Sequence, residues 1–293
     1  MDPHPSERPS SSGAQPGILK RLREAGLLPR KLLGQHFLHD PRILQGIASA
    51  AGIGPLDRVF EVGTGPGTLT RELARKASHV FTIDVDSRML AFAEEELRDF
   101  SNVRFLCADV LAGRSRLRAE VLEVLRSMEP FSWVSNLPYG IASALIVAFC
   151  ESDLRWIRAV LTLQDEVADR ILAPPGKAPY GPLSALVAFW ASARGGKRIH
   201  AGAFWPRPKV ESRVVHLERH EPMGDAGDYG RYKAWVKRTL GARRKQIGRI
   251  LRDALGAEEA KRFLAGTGWD PALRPGCLGP SDFLLLARTF PLE

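Results

Sequence analysis

Apolar residues Val59 and Phe60 lead into Glu61-Val62-Gly63-Thr64-Gly65-Pro66-Gly67, which opens a helical stretch from Thr68 to Ala77. Strand, glycine turn and helix in immediate succession leave few folds open to the chain, because that order begins a parallel sheet covered by helices. Glycine lets the main chain pass close to a ligand, and a helix start carries free N–H groups. The spacing is G-x-G-x-G rather than the G-x-G-x-x-G that carries a pyrophosphate, so a dinucleotide is not expected.

The alternation continues downstream. Strands are expected over Arg58 to Val62, His79 to Ile83, Val103 to Cys107, Phe131 to Ser135 and Trp156 to Leu163, with helices between them. Two later strands, near Arg198 to Ala203 and Ser212 to Glu218, complete the sheet. The fold class is therefore α/β, a Rossmann-like and mainly parallel sheet with helices on both faces. Asp84 closes the second strand about 20 residues past the glycines, where an acid binds ribose hydroxyls. Asp109 follows the third strand, placed to accept a hydrogen bond from an adenine amino group. Two such carboxylates would repel a phosphate. Ribose and adenine without phosphate describe S-adenosylmethionine, with Gly63 and Gly65 lying against it, and make this a methyltransferase-type sheet.

Asn136-Leu137-Pro138-Tyr139 ends the fourth strand. Taken alone it is an ordinary strand-ending turn, since Asn and Pro both punctuate strands. Downstream of the glycine turn it acquires a chemical reading. The exocyclic amine of adenine is nearly planar and a poor nucleophile, because its lone pair is delocalised into the ring. The Asn136 side-chain oxygen and the Leu137 carbonyl can accept its two N–H bonds and favour a pyramidal nitrogen whose lone pair is free to attack. Pro138 fixes the bend and brings no competing N–H. Tyr139 covers one face of the base. Phe204, stiffened by the prolines of Phe204-Trp205-Pro206-Arg207-Pro208, is expected to cover the other. Without the upstream motifs, a core ring beside a rigid turn would be an equally good reading of Phe204. Arg207 and Lys209 would meet neighbouring phosphates. No His and carboxylate cluster has metal-ligand spacing, so no metal is expected.

Five blocks in a fixed order then give the chain a resemblance. They are Gly34-Gln35-His36-Phe37-Leu38-His39-Asp40, Glu61 to Gly67, Asn136 to Tyr139, Tyr180-Gly181-Pro182-Leu183-Ser184, and Phe204 to Ser212. Arg243-Arg244-Lys245-Gln246-Ile247 adds a basic stretch near the C-terminus. Together they resemble the KsgA/Erm-type rRNA adenine N6-dimethyltransferases, with the KsgA branch, which modifies small-subunit rRNA, the nearer. The resemblance implies that His36, Leu38, Gly63, Asp84, Asp109 and Asn136 contact S-adenosylmethionine, and that Asn136, Leu137, Tyr139 and Phe204 hold the target adenine. It also implies dimethylation of two adjacent adenosines in an rRNA hairpin during ribosome biogenesis. The chain departs from the family pattern at His36 and at Gly140, where Asn is usual in both places. An Erm-type large-subunit enzyme and a ribosome-assembly factor with secondary methylation are the competing readings. DNA adenine methyltransferases tend to carry Asp-Pro-Pro-Tyr, against Asn136-Leu137 here.

With 293 residues, 44% of them hydrophobic, the chain can bury one substantial core and carry a smaller second domain. Met1 to Gly17, rich in Pro, Ser and Gly, reads as a disordered tail. Residues 18–220 read as the methyltransferase domain, 221–230 as a linker, and 231–293 as a helical RNA-binding domain with helices ending at Gly241, Gly256 and Gly266. No apolar run is long enough to cross a bilayer. Cys107, Cys150 and Cys277 lack pairing spacing and are expected to be buried bystander thiols in a reducing, cytoplasmic setting. Lys and Arg number 42 against 33 acids, a net +9, and nine of the cations fall between Arg231 and Asp253 against that single acid. Trp235, Val236, Leu240, Ile247, Ile250 and Leu251 recur at helical spacing, so these helices pack inward and turn cations outward. A net +8 over so short a stretch points to a polyphosphate surface. Arg243, Arg244 and Lys245 would supply affinity there, not sequence reading. The small ribosomal subunit is the expected partner, and a monomer the expected state.

Overall fold

The computed structural model describes residues 17–113 and 115–290. The expected tail, Met1 to Gly17, lies outside them apart from Gly17. Strand β1 (Phe37–Leu38) comes first, followed by β2 (Arg58–Val62), β3 (His79–Asp84), β4 (Val103–Cys107), β5 (Phe131–Asn136) and β6 (Trp156–Gln164), then β7 (Ala191–Ile199), β8 (Phe204–Trp205) and β9 (Ser212–Arg219). Seven of them form one sheet in the order β4-β3-β2-β5-β6-β9-β7, and β1 pairs with β8 alone. Strands β2 to β6 run parallel, while β9 and β7 close one edge antiparallel.

Both faces of the inner parallel strands β2, β3 and β5 are buried, as covering helices require, whereas β4 at the sheet edge is only partly covered. Val59, Val80, Val134 and Val160 enter one cluster with α2 (Pro41–Ala50) and α3 (Thr68–Ala74), after α1 (Ile18–Glu24) at the entry. Phe60, Phe81, Trp133 and Leu161 enter the opposite cluster. There, past α4 (Ser87–Glu96), α5 (Ala119–Ser127) and α6 (Ala142–Cys150) cover the sheet, and the Phe149 ring stacks on Trp133 at 4.2 Å and on Phe60 at 5.5 Å. The chain leaves β2 for β3 on one side and β5 lies on the other, so a crevice opens between β2 and β5 at their C-terminal ends. The pairing there is short: β2 meets β5 only at Val59–Ser132 and Phe60–Trp133. Beyond it the Val62 N–H goes to the Ser135 hydroxyl at 2.8 Å in place of a main-chain carbonyl.

After α7 (Asp165–Leu172) come α8 (Pro182–Ala188) and the closing helices α9 (Ala226–Gly241), α10 (Ile247–Leu255), α11 (Ala257–Thr267) and α12 (Pro280–Thr289). Tyr180, Ala185, Leu186 and Phe189 share a core with Tyr232, Trp235, Phe263 and Phe283. The Tyr232 hydroxyl donates to the Ala185 carbonyl at 2.7 Å. The Tyr180–Ser184 block therefore joins the helical core: Ser184 accepts the Gly181 N–H at 3.0 Å and donates to the Arg170 carbonyl.

Several expectations need correction. Residues 221–230 are not a linker throughout, because Asp225 caps α9 by accepting the Asp228 N–H at 2.7 Å. Asp228 is buried and bonds Arg231 and Arg288. Helix α11 runs past Gly266 to Thr267 and stops at Gly268, whose φ of +69° suits a left-handed cap. The strand expected from Arg198 to Ala203 is β7, which ends at Ile199; its exposed Arg- and Gly-rich edge sequence hides the alternation that marks a strand. Cys107 and Cys277 are exposed, and only Cys150 is buried, its thiol pushed up to about 12 by burial.

Candidate active site

Five segments meet at the crevice: 33–37, the glycine turn, 83–85, 108–110 and 136–141. Leu33, Gly34, Gln35, His36, Phe37, Gly63, Gly65, Asp84, Val85 and Asn136 to Tyr139 line one lobe. Ala108, Asp109, Val110 and Ile141 line a second, which shares Gly63, Asp84, Val85 and Pro138 with the first. The two lobes therefore adjoin along the wall that carries Gly63 and Asp84; of the other expected contacts, His36, Gly65 and Asn136 line the first lobe and Asp109 the second.

The turn is shaped by its glycines. Gly63 has φ +86° and Gly65 φ +51°, both in the left-handed region. A Cβ on Gly65 would lie 3.0 Å from the Phe37 ring, and one on Gly63 would lie 3.4 Å from the Asn136 carbonyl oxygen. The Gly65 N–H donates to Asp84 at 2.8 Å, and the Asp86 N–H to the other Asp84 oxygen at 2.9 Å. Burial pushes the Asp84 carboxyl up, against the pull of these two N–H groups. Below the turn, Glu61 is fully buried, and burial pushes its carboxyl up to about 8. Its Oε2 accepts the Thr70 and Thr82 hydroxyls at 2.6 and 2.7 Å, so Thr64 must donate to Thr82 at 2.7 Å. Glu61 Oε1 has no partner among the described residues.

At the end of β5, the Asn136 amide nitrogen donates to the His36 carbonyl at 3.1 Å. That bond orients the amide, and it leaves Asn136 Oδ1 buried without a hydrogen-bond partner among the described residues. A buried acceptor of this kind costs about 1–3 kcal/mol unless something donates to it. The Pro138 carbonyl accepts the Ile141 N–H at 3.3 Å, whereas the Leu137 carbonyl accepts no bond among the described residues. Two acceptors in adjacent residues are therefore available, as an amine with two N–H groups needs. Leu137 places its side chain in the core. The Tyr139 hydroxyl is fixed by Ser212 Oγ at 2.8 Å, and burial pushes the phenol up. The His36 ring lies against Tyr139, centroids 5.1 Å apart and planes at 25°. His36 Nδ1 donates to the Pro206 carbonyl at 2.7 Å.

Two expected residues stand elsewhere. Phe204 is 3% exposed and packs in the core with Leu38 and Val214, so the ring against Tyr139 is His36 instead. The expected place of Phe204 against the target base is thereby corrected to the core, because strand pairing of Leu38 with Phe204 turns both side chains inward. Leu38 is 2% exposed and its carbonyl accepts the Thr68 hydroxyl at 3.0 Å, so its side chain does not line the cleft. Asp109 is exposed at the second lobe, with one oxygen accepting the Leu111 N–H at 2.9 Å. A Cβ on Gly140 meets nothing within 4 Å, so packing does not require glycine there. Ser135, Ser212, Thr70 and Thr82 escaped the sequence reading; a hydroxyl beside a motif is too common a pattern to single out.

Arg207, Arg244 and Lys209 are exposed with no partner among the described residues. Arg243 instead donates to the Ala178 carbonyl at 2.9 Å, and Lys245 lies 3.5 Å from Asp253. Among the described residues no group of three His, Cys, Asp or Glu side chains could hold a metal ion, and no helix is long and apolar enough to cross a membrane.

The profile described as ribosomal RNA adenine dimethylase matches residues 27–268. The ribosomal RNA small subunit methyltransferase A of Moorella thermoacetica is 38% identical over 284 residues, 95% of this chain and 98% of that one. Its counterpart of the same name from Geobacillus kaustophilus is 34% identical, covering 94% of this chain and 96% of the relative. Among solved structures, the 23S rRNA methyltransferase ErmE superposes with a TM-score of 0.67 at 26% identity, covering 86% of this chain and 98% of that one. A dimethyladenosine transferase from Plasmodium falciparum does so with a TM-score of 0.69 at 26% identity, covering 87% and 98%.

Proposed function

The chain belongs to the ribosomal RNA adenine dimethylase family, and from that premise we propose that it transfers methyl groups from S-adenosylmethionine to N6 of adenosines in small-subunit rRNA, dimethylating two adjacent adenosines of a hairpin. When bound, S-adenosylmethionine supplies an electrophilic methyl on a sulfonium, which is already a good leaving group. The residues present suit that molecule. That reading is supported by the side-chain-free surface of Gly63 and Gly65, which would let it approach closely, and by Asp84 and Asp109 in the lining, which would accept bonds from ribose hydroxyls and an amino group.

The observation that carries the reading is the pair of open acceptors, buried Asn136 Oδ1 and the neighbouring Leu137 carbonyl. Both N–H bonds of an adenine amine can be accepted there, which drives the nitrogen toward a pyramidal geometry and frees its lone pair. The alkylated amine then loses its extra proton to water, so no strong base is needed and positioning supplies most of the rate. The target base must be unstacked to reach the cleft. The cations outside the cleft hold the RNA backbone, in the cytoplasm, with the enzyme acting as a monomer.

An Erm-type reaction on large-subunit rRNA is the second reading, favoured by the likeness to ErmE. Methyl transfer to purified small subunits, large subunits and DNA distinguishes the two. Dimethyladenosine in small-subunit rRNA alone is the expected result; transfer to large subunits alone overturns the proposal.

A further inference from the structure

His36 joins three segments that the reaction needs together. Its carbonyl holds the Asn136 amide nitrogen at 3.1 Å, its Nδ1–H reaches the Pro206 carbonyl at 2.7 Å, and its ring stacks on Tyr139. A carbonyl can only accept, so Nδ1 carries the proton. The resemblance implied a cofactor contact at this position. His36 does line the lobe that carries Gly63 and Asp84, but its imidazole is bonded to Pro206 and stacked on Tyr139, and we propose that it is a positioning residue: it ties the Phe204–Ser212 segment to the Asn136–Tyr139 turn and covers one face of Tyr139, leaving a single face for one target base.

Three observations support this role. Phe204, the other candidate wall, is buried in the core. Tyr139 is pinned at its far end by Ser212, which belongs to the same segment as Pro206, so His36 and Ser212 grip the ring from two sides. The Asn136 bond uses the His36 main chain and so survives side-chain replacement, which separates the imidazole's role from that of the amide. An Asn at this position would lack the ring that lies on Tyr139.

The proposal rests on the adenine N6 reading of the cleft, and one of its two tests does not depend on activity. In the full chain, the Tyr139 ring current should shift the His36 imidazole proton resonances upfield, and Tyr139→Leu should remove that shift. An unshifted imidazole overturns the proposal whatever the substrate. With unmethylated small subunits as substrate, His36→Ala should lower kcat about tenfold while KM for S-adenosylmethionine and the melting temperature stay within about twofold and a few degrees. His36→Phe, which keeps the ring and loses the bond to Pro206, should recover part of the loss. A rise in KM for S-adenosylmethionine at unchanged kcat would make His36 a cofactor contact and overturn the proposal. Absence of transfer by the unaltered enzyme would count against the function, and the resonance test would still decide the role of His36.

Discussion

At the ends of β2 and β5, polar groups are buried and most are assigned a partner: Asp84 by two main-chain N–H groups, the Val62 N–H by Ser135, Tyr139 by Ser212. Along Arg231 to Asp253 the cations are organised differently. Arg231, Lys233, Arg238, Arg243, Lys245 and Arg249 bond whatever acid or carbonyl lies nearby, while Lys237, Arg244 and Arg252 have no partner among the described residues. Methyl transfer needs atoms held to a fraction of an ångström, whereas a phosphate backbone needs only charge nearby. One change in the first region should therefore act on rate, and one change in the second on affinity by a small, salt-dependent step.

The sharpest way to break that contrast is Asn136→Ala. It removes the unpaired acceptor and the bond to His36 together. Removing a donor or acceptor fitted to a reacting centre costs about 10²–10³ in rate, so kcat should fall at least that far. Binding of small-subunit RNA, which the outlying cations govern, should change by less than about twofold. Single-turnover transfer beside a filter-binding titration measures both. Equal losses would mean that the two regions are not separate in function.

Glu61 tests the cleft region without reference to RNA. Its ordinary pKa of 4.5 is raised to about 8 by burial, with the Thr70 and Thr82 hydroxyls opposing the shift. The folded protein therefore holds a proton that the unfolded chain has lost. This contribution to stability is fully present below about pH 4.5 and is lost as the pH rises toward 8, by on the order of 5 kcal/mol. Glu61→Gln should flatten that decline, as measured by denaturant unfolding across the interval. A decline of equal size in the variant would show that Glu61 is ionised in the fold.

The parts of the molecule that could be read from residue order are those where backbone geometry permits few residue types. Gly63 and Gly65 occupy positive φ against a ring or a carbonyl, and the Val/Phe alternation of β2 and β3 reaches both faces of the sheet. Such constraints leave a local signature. The placement of Phe204 does not: its burial depends on β8 pairing with β1, more than 160 residues earlier in the chain, and no local pattern announces that partner. β7 was displaced for a related reason, since an exposed edge strand tolerates Arg194, Gly195, Gly196 and Lys197 where a central strand would alternate. The hydroxyls of Ser135 and Ser212 matter through contacts 73 residues away in each case.

The smallest expected effect separates cations that serve the fold from those free for RNA. Arg244 has no partner among the described residues, whereas Arg231 lies 2.9 Å from the buried Asp228, which Arg288 also contacts. Removing a cation that contacts phosphate lowers the slope of log K against log salt by about one. Arg244→Ala should do so, with a few-fold loss of affinity and an unchanged melting temperature. Arg231→Ala should lower the melting temperature, because Asp228 loses a partner in a site with little water, and should leave the salt slope as it was. Salt titrations of both variants at matched temperature decide between them. If the two slopes fall together, the whole stretch acts as one diffuse charge, and the division between paired and unpaired cations has no consequence for RNA.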